Sequence, residues 1–109
     1  MRLPSDAAIA IEKMADYLLR WRPKNDKSQF LAQAGYTEQD ADQLAADIRR
    51  QLLTLEASFE ESTEYGEMYS TVGWLTGPNG RELRVVSIWM MESATDKTKF
   101  ITLYPAKED

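Results

Sequence analysis

The chain has 109 residues, 43% of them hydrophobic and 28% charged, with a net charge of −5. That is enough apolar material for one core and too much for a disordered segment, while the acid excess opposes nucleic acid at long range. With no cysteine and no histidine, disulfides, thiolate metal sites, the commonest catalytic base and the commonest metal ligand are all excluded.

No apolar run reaches membrane-spanning length and no signal-peptide pattern opens the chain, so a cytoplasmic protein with no membrane partner is expected. Residues 1–54 hold eight basic and eight acidic residues, and residues 55–109 five and ten. Any nucleic-acid surface must therefore come from a local patch in the first half.

Met1–Asp6 reads as a polar entry, and Ala7–Ile11 as either a first helical turn or a short strand. Ile11, Met14, Ala15, Leu18 and Leu19 recur on one helical face. Pro23 disfavours the α conformation at Arg22, which gives a helix over 12–22. Arg20, Arg22, Lys24 and Lys27, opposed only by Asp26, form the one basic cluster. It is either solvated charge favoured near a helix C-terminus or a phosphate-binding patch.

Asn25 or Asp26 caps a second helix over 26–34, with Phe30, Leu31 and Ala34 inward and Gly35 as the C′ residue. A third helix over 38–54 opens at Thr37, with Asp40 three residues on. Its stripe is Ala41, Leu44, Ala45, Ile48, Leu52 and Leu55, and Asp40, Asp42, Asp47 and Arg50 are expected on its solvated side.

Periodicity then changes to that of strands. Leu55–Tyr65, with Glu56, Glu60, Glu61 and Glu64, reads as an edge strand. Its carboxylates either discourage aggregation or gather around a hard cation. Gly77-Pro78-Asn79-Gly80 is the clearest turn: Pro presets φ at the second position and Gly80 takes φ > 0. Counting outward, Leu75 faces Leu83, Trp74 faces Arg84, Val72 faces Val86, Thr71 faces Ser87 and Tyr69 faces Trp89. A further strand follows over Thr98–Tyr104.

Alternation separates two sheet faces. Met68, Val72, Val86, Ile88 and Met90 form the more apolar set, and with Ile101 and Leu103 they are expected to meet the helices. Tyr69, Thr71, Gly73, Val85, Ser87 and Trp89, joined by Phe100, Thr102 and Tyr104, form the other set, a face mixing aromatics and hydroxyls and suited to a binding groove or a dimer contact. The fold class expected is α+β, with about three N-terminal helices on one face of a roughly four-stranded antiparallel sheet. It forms a single domain over 1–109, helical over about 7–54, sheet over about 55–104, with a frayed tail over 105–109.

The available chemistry is that of Lys, Arg, Tyr, Thr and carboxylates. Serine or cysteine triads lack a base, and Gly77–Gly80 lacks the Lys-Ser/Thr of a phosphate loop. The remaining groups suit metal-independent phosphodiester chemistry and ordinary surface roles alike.

Glu12-Lys13-Met14-Ala15-Asp16-Tyr17-Leu18-Leu19, then Lys27, Phe30, Gly35-Tyr36, Tyr65-Gly66, Tyr69, Thr76–Gly80, Ile88-Trp89 and Thr102, carry a resemblance over nearly the whole chain. In this order they resemble a bacterial family of small domains of unknown function. Its members are similar to toxin domains of polymorphic-toxin and toxin–antitoxin systems, of the barnase, EndoU and colicin ribonuclease type. The resemblance implies a metal-independent RNA-cleaving or RNA-binding domain without a cofactor, its partners RNA and a cognate antitoxin-like protein. Taken with the basic cluster and the aromatic-and-hydroxyl face, it puts the site on that face: Lys27, Thr102, Ser87 and Tyr69 would be catalytic, and Arg84, Trp89, Tyr104 and Thr71 would bind substrate. Where the family pattern often has His before the lysine, this chain has Asp26. The alternative is a non-catalytic protein-interaction domain, as a homodimer or the partner of a cognate protein.

Overall fold

The computed structural model describes residues 1–21, 23 and 27–107. Arg22 and Lys24 of the basic cluster, the expected caps Asn25 and Asp26, and the tail residues 108–109 lie outside the described residues. Helix α1 (Ile11–Lys13) runs directly into a π-helical turn over Met14–Leu18, and α2 spans Ser28–Ala32. Helix α3 spans Ala41–Gln51. Four strands follow, β1 (Ser58–Thr63), β2 (Gly66–Thr76), β3 (Glu82–Glu92) and β4 (Lys97–Pro105). They form one antiparallel meander in the order β1-β2-β3-β4. The fold is α+β, as expected.

The helices are shorter than the sequence pattern predicts. The first gives way at Leu19, whose N–H bonds the Met14 carbonyl in the wider π spacing. Asp40, not Thr37, stands at the start of α3: its carbonyl accepts the Leu44 N–H at 2.8 Å, and its carboxylate reaches back to the Thr37 N–H at 2.8 Å. Leu44, Ala45, Ile48 and Leu52 are buried. Asp47 is too, contrary to the solvated position expected of it. It is tolerated inside because Tyr36 Oη donates to it at 2.6 Å, Gln43 at 2.9 Å and Arg50 at 2.6 Å.

The β2–β3 register is the one counted outward from the turn, from Thr76↔Glu82 through Trp74↔Arg84 to Tyr69↔Trp89. Gly80 takes φ +86°, as the turn requires. Gly77 lets the turn after α2 close onto the hairpin: a Cβ there would lie 2.2 Å from the Ala34 carbonyl oxygen, which accepts the Asn79 N–H at 3.2 Å. The turn that follows α2, at Gln33 and Ala34, thus meets the hairpin tip, whereas α3 and the π turn pack toward the sheet's inner face with the core.

The sheet faces the opposite way from the expectation. Thr71, Ser87, Trp89, Val85, Leu75, Leu83 and Phe100 are buried toward the helices, and Leu103 joins them there as expected. Val72 and Trp74 are exposed, and Met68, Val86, Ile88 and Met90 are half-buried on the outer side. The inversion is possible because the inner polar groups satisfy one another. Thr71 and Ser87 share a hydroxyl hydrogen bond, and Trp89 Nε1 donates to Ser87 Oγ at 2.8 Å. Gly73 contributes as well, because a Cβ there would meet Leu55 Cδ1 at 2.4 Å.

The last strand also departs from simple alternation. The register shifts between Ile88 and Trp89, with Ile88 opposite Thr102 and Trp89 opposite Phe100. Ile101 is the extra residue of this bulge. Phe100 and Leu103 therefore both face the core, while Thr102 and Tyr104 lie on the outer face with Ile88 and Val86. The N-terminal segment covers the far edge of β4: the Ala8 N–H donates to the Thr98 carbonyl at 2.9 Å, and the Phe100 N–H to the Ala8 carbonyl at 2.8 Å. The free edge of the sheet is β1, whose six residues are all exposed.

Candidate functional site

The eight residues singled out in the sequence fall into two groups on opposite sides of the sheet. Ser87, Thr71 and Trp89 are sealed in the core, where Trp89 stacks edge-on against Phe100 with ring centroids 5.3 Å apart. Tyr69 is also on the inner face, near the free edge, with its hydroxyl donating to Glu67 at 2.9 Å and its ring against Phe59. The Glu67 hydrogen bond, then burial, raise the Tyr69 phenol above its ordinary value. A phenol held protonated in this way is a poor general base. None of these four is bonded to Lys27.

Lys27, Thr102, Tyr104 and Arg84 belong to the outer side. Lys27 follows the first helical segment, and its Nζ donates to Thr102 Oγ1 at 2.7 Å across 75 positions of sequence. Tyr17 completes the contact, with its hydroxyl 3.5 Å from Lys27 Nζ and its ring centroid at 5.3 Å. Beside it, Lys13 Nζ donates to the Ile101 carbonyl at 2.9 Å, capping the bulge. Burial, and then the nearby Lys99, lower the Lys13 ammonium from its ordinary value. Lys13 and Tyr17 stood in the resembling stretch, yet nothing in their spacing marked them as neighbours of β4.

The middle of the outer face is mainly apolar. Trp74, at the turn end, is 48% exposed and carries the Arg84 guanidinium 5.4 Å from a ring centroid. Val72 is 47% exposed and Tyr104 40%, and they lie either side of Val86 in one cross-strand row. Behind them come Ser70, Ile88 and Thr102, then Met68 and Met90. The one buried polar group there, Ser70, donates to Glu60 at 3.0 Å. Trp74 and Val72 are the residues that pattern reading missed, because it assigned their face to the core.

The carboxylates of the β1 region do not form a cation site. Glu56 pairs with the N-terminal ammonium and Glu60 with Ser70, and among the described residues no three acidic side chains gather to hold a metal. Among the described residues no helix is long and apolar enough to cross a membrane.

Residues 2–107 match a family described as a domain of unknown function (DUF6883). Neither a curated protein nor a solved structure matches the chain significantly.

Proposed function

We propose that this chain, which belongs to the DUF6883 family, acts as a non-catalytic protein-interaction domain whose docking surface is the outer face of the sheet. The observation that supports this is the exposure of Val72 and Trp74 on β2 and of Tyr104 on β4, around half-buried Met68, Val86, Ile88 and Met90 on β2 and β3. Aliphatic side chains in a continuous patch gain little from phosphate or ribose and much from another apolar surface. The margin is polar, with Arg84 at one end and the Lys27–Thr102 pair at the β4 side, so the patch has the apolar centre and polar rim of an interface. A photo-crosslinking residue in place of Val72 or Trp74 tests it. Irradiated cells expressing the chain are expected to yield discrete adducts from these positions and none from position 42, on the exposed side of α3. No discrete adduct, or equal labelling from position 42, overturns the reading.

A second reading is favoured by one contact, the 2.7 Å bond from Lys27 to Thr102. It is an RNA-binding or RNA-cleaving, toxin-like domain. On this reading Lys27 stabilises phosphate charge, Thr102 positions it, and Tyr104 stacks a base while Arg84 draws the backbone in. Ser87, Thr71 and Trp89 would serve it only by shaping the sheet from inside. Cleavage or a gel shift of total RNA at low salt with EDTA, lost in Lys27→Ala, supports it. A wild-type chain that does neither ends it.

A further inference from the structure

We infer that the occupant of the outer sheet face is a second copy of this chain, docked sheet to sheet about a two-fold axis running along the strands. The inference rests on the docking reading above and names its partner.

Four strands about 4.8 Å apart, over about nine residues at about 3.3 Å each, present a face of about 570 Å² in projection. This fits within the molecule's 35 × 29 × 25 Å extents. Two such faces in contact remove at least about 1,100 Å² from water, which clears the roughly 1,000 Å² expected of a specific interface. Two twisted sheets stack in this way about 10 Å apart with strands crossing at about 30°.

The charges along the face are complementary to themselves under such an axis. Glu61 lies opposite Met68, Met68 opposite Met90, and Met90 opposite Lys99. One row across the sheet therefore runs from an acidic residue on β1, through two methionines, to a basic residue on β4. The same polarity holds at the neighbouring positions. Glu60 stands beside Ser70 on the β1 side, and Lys27 bonds Thr102 on the β4 side. A two-fold axis along the strands lays this row over itself reversed. Glu61 of each copy then meets Lys99 of the other, methionine meets methionine, and the pairing occurs twice by symmetry. Within one copy Lys99 already holds Glu92 at 2.7 Å, an exposed pair that shares the lysine with the incoming Glu61. The β4 edge is occupied by Ala8 and Lys13, so head-to-tail addition of one copy's β1 to the other's β4 is blocked.

Sedimentation equilibrium of the full chain, from low to high micromolar concentration, tests the inference. The expected result is a species of twice the 12.5 kDa monomer mass. Val72→Glu and Trp74→Arg should each give a monomer with an unchanged circular dichroism spectrum. Glu61→Lys should weaken the dimer about tenfold, and adding Lys99→Glu should restore most of the loss. A dimer indifferent to both Val72→Glu and Trp74→Arg overturns the inference, and a dimer not rescued by the double charge reversal overturns the axis. A monomer at all concentrations, with discrete crosslinks from position 72 to a different protein, overturns the second copy and leaves the docking face standing. A monomer with no crosslink overturns both.

Discussion

Thr71 and Ser87 face each other across β2 and β3 and share a hydroxyl hydrogen bond inside the core. Ser87 also accepts from the Trp89 indole at 2.8 Å. Three polar groups are thus closed on one another, which is what allows an alternating aromatic-and-hydroxyl surface to be the buried one.

Replacing Ser87 by Ala leaves the Trp89 N–H and the Thr71 hydroxyl without this partner in a dry interior. The expected loss is about 3 kcal/mol, since each buried orphan costs about 1–3. Thr71→Val keeps the Ser87–Trp89 bond and the side-chain shape, and should cost about 1 kcal/mol. Urea midpoints at constant m measure both. Equal costs would show that Ser87 is not the partner shared by Thr71 and Trp89.

Tyr36 gives a pH signature. Burial first, then its hydrogen bond to Asp47, push its phenol well above its ordinary value of about 10. The folded chain therefore keeps this proton while the unfolded chain loses it. Above about pH 10 the unfolded state binds fewer protons, so stability falls as pH rises, by at most about 1.4 kcal/mol per pH unit from this group. Below that pH the contribution is fully present. Tyr36→Phe should be destabilised at neutral pH, because the buried Asp47 Oδ2 loses its Tyr36 hydrogen bond, and should lose this share of the alkaline slope. Stability measured between about pH 9 and about pH 11, one unit either side of the ordinary phenol value, reads both effects.

What could be read from the residues depended on how local the cause was. Pro78 and Gly80 dictate the turn, and the β2–β3 register follows from it by counting. The stripe of α3 follows from helical spacing. The choice of sheet face did not follow, because Val72, Val86, Ile88 and Met90 are more apolar than Thr71 and Ser87. Carrying the alternation out to Leu75 and Leu83 places two leucines with Thr71 and Ser87, and Trp74 and Arg84 with Val72. That was the available signal. The bulge at Ile101 left no mark beyond Phe100 and Leu103 being three apart. Asp47 follows Leu44 by three and so borders the stripe, but its partner Tyr36 lies outside the helix. The contact of Lys27 with Thr102 spans 75 positions, and only the resemblance had put the two together.

The hairpin tip offers two glycines with different demands. At Gly77 a Cβ would meet the Ala34 carbonyl oxygen at 2.2 Å and the Ala34 Cβ at 2.5 Å, so backbone must move. Gly77→Ala should cost about 2–3 kcal/mol by overpacking. It should also speed hydrogen exchange at the Asn79 N–H, which bonds Ala34. At Gly80 nothing lies within 4 Å of such a Cβ, and only φ +86° opposes it. Gly80→Ala should cost about 1 kcal/mol, with Asn79 exchange unchanged. The opposite ranking would mean that the turn after α2 does not rest on the hairpin tip.

Val85 and Val86 are neighbours in β3 on opposite faces, and they give the sharpest test of which face is inside. Val85 is fully buried among the helices, whereas Val86 is half-buried on the outer side between Val72 and Tyr104. Threonine keeps the β-branched shape and strand preference of valine and adds one hydroxyl. At position 85 that hydroxyl enters an apolar interior, so Val85→Thr should cost about 1–3 kcal/mol at any protein concentration. At position 86 it can reach water while the face is open, so Val86→Thr should cost less than about 0.5 kcal/mol in dilute solution. If the outer face is covered by a second copy, the cost at position 86 should grow with protein concentration while that at position 85 stays constant, because only the assembled state buries Val86. Denaturation curves at two widely separated concentrations separate the cases. A large, concentration-independent cost at position 86 with none at position 85 would reverse the assignment of the faces.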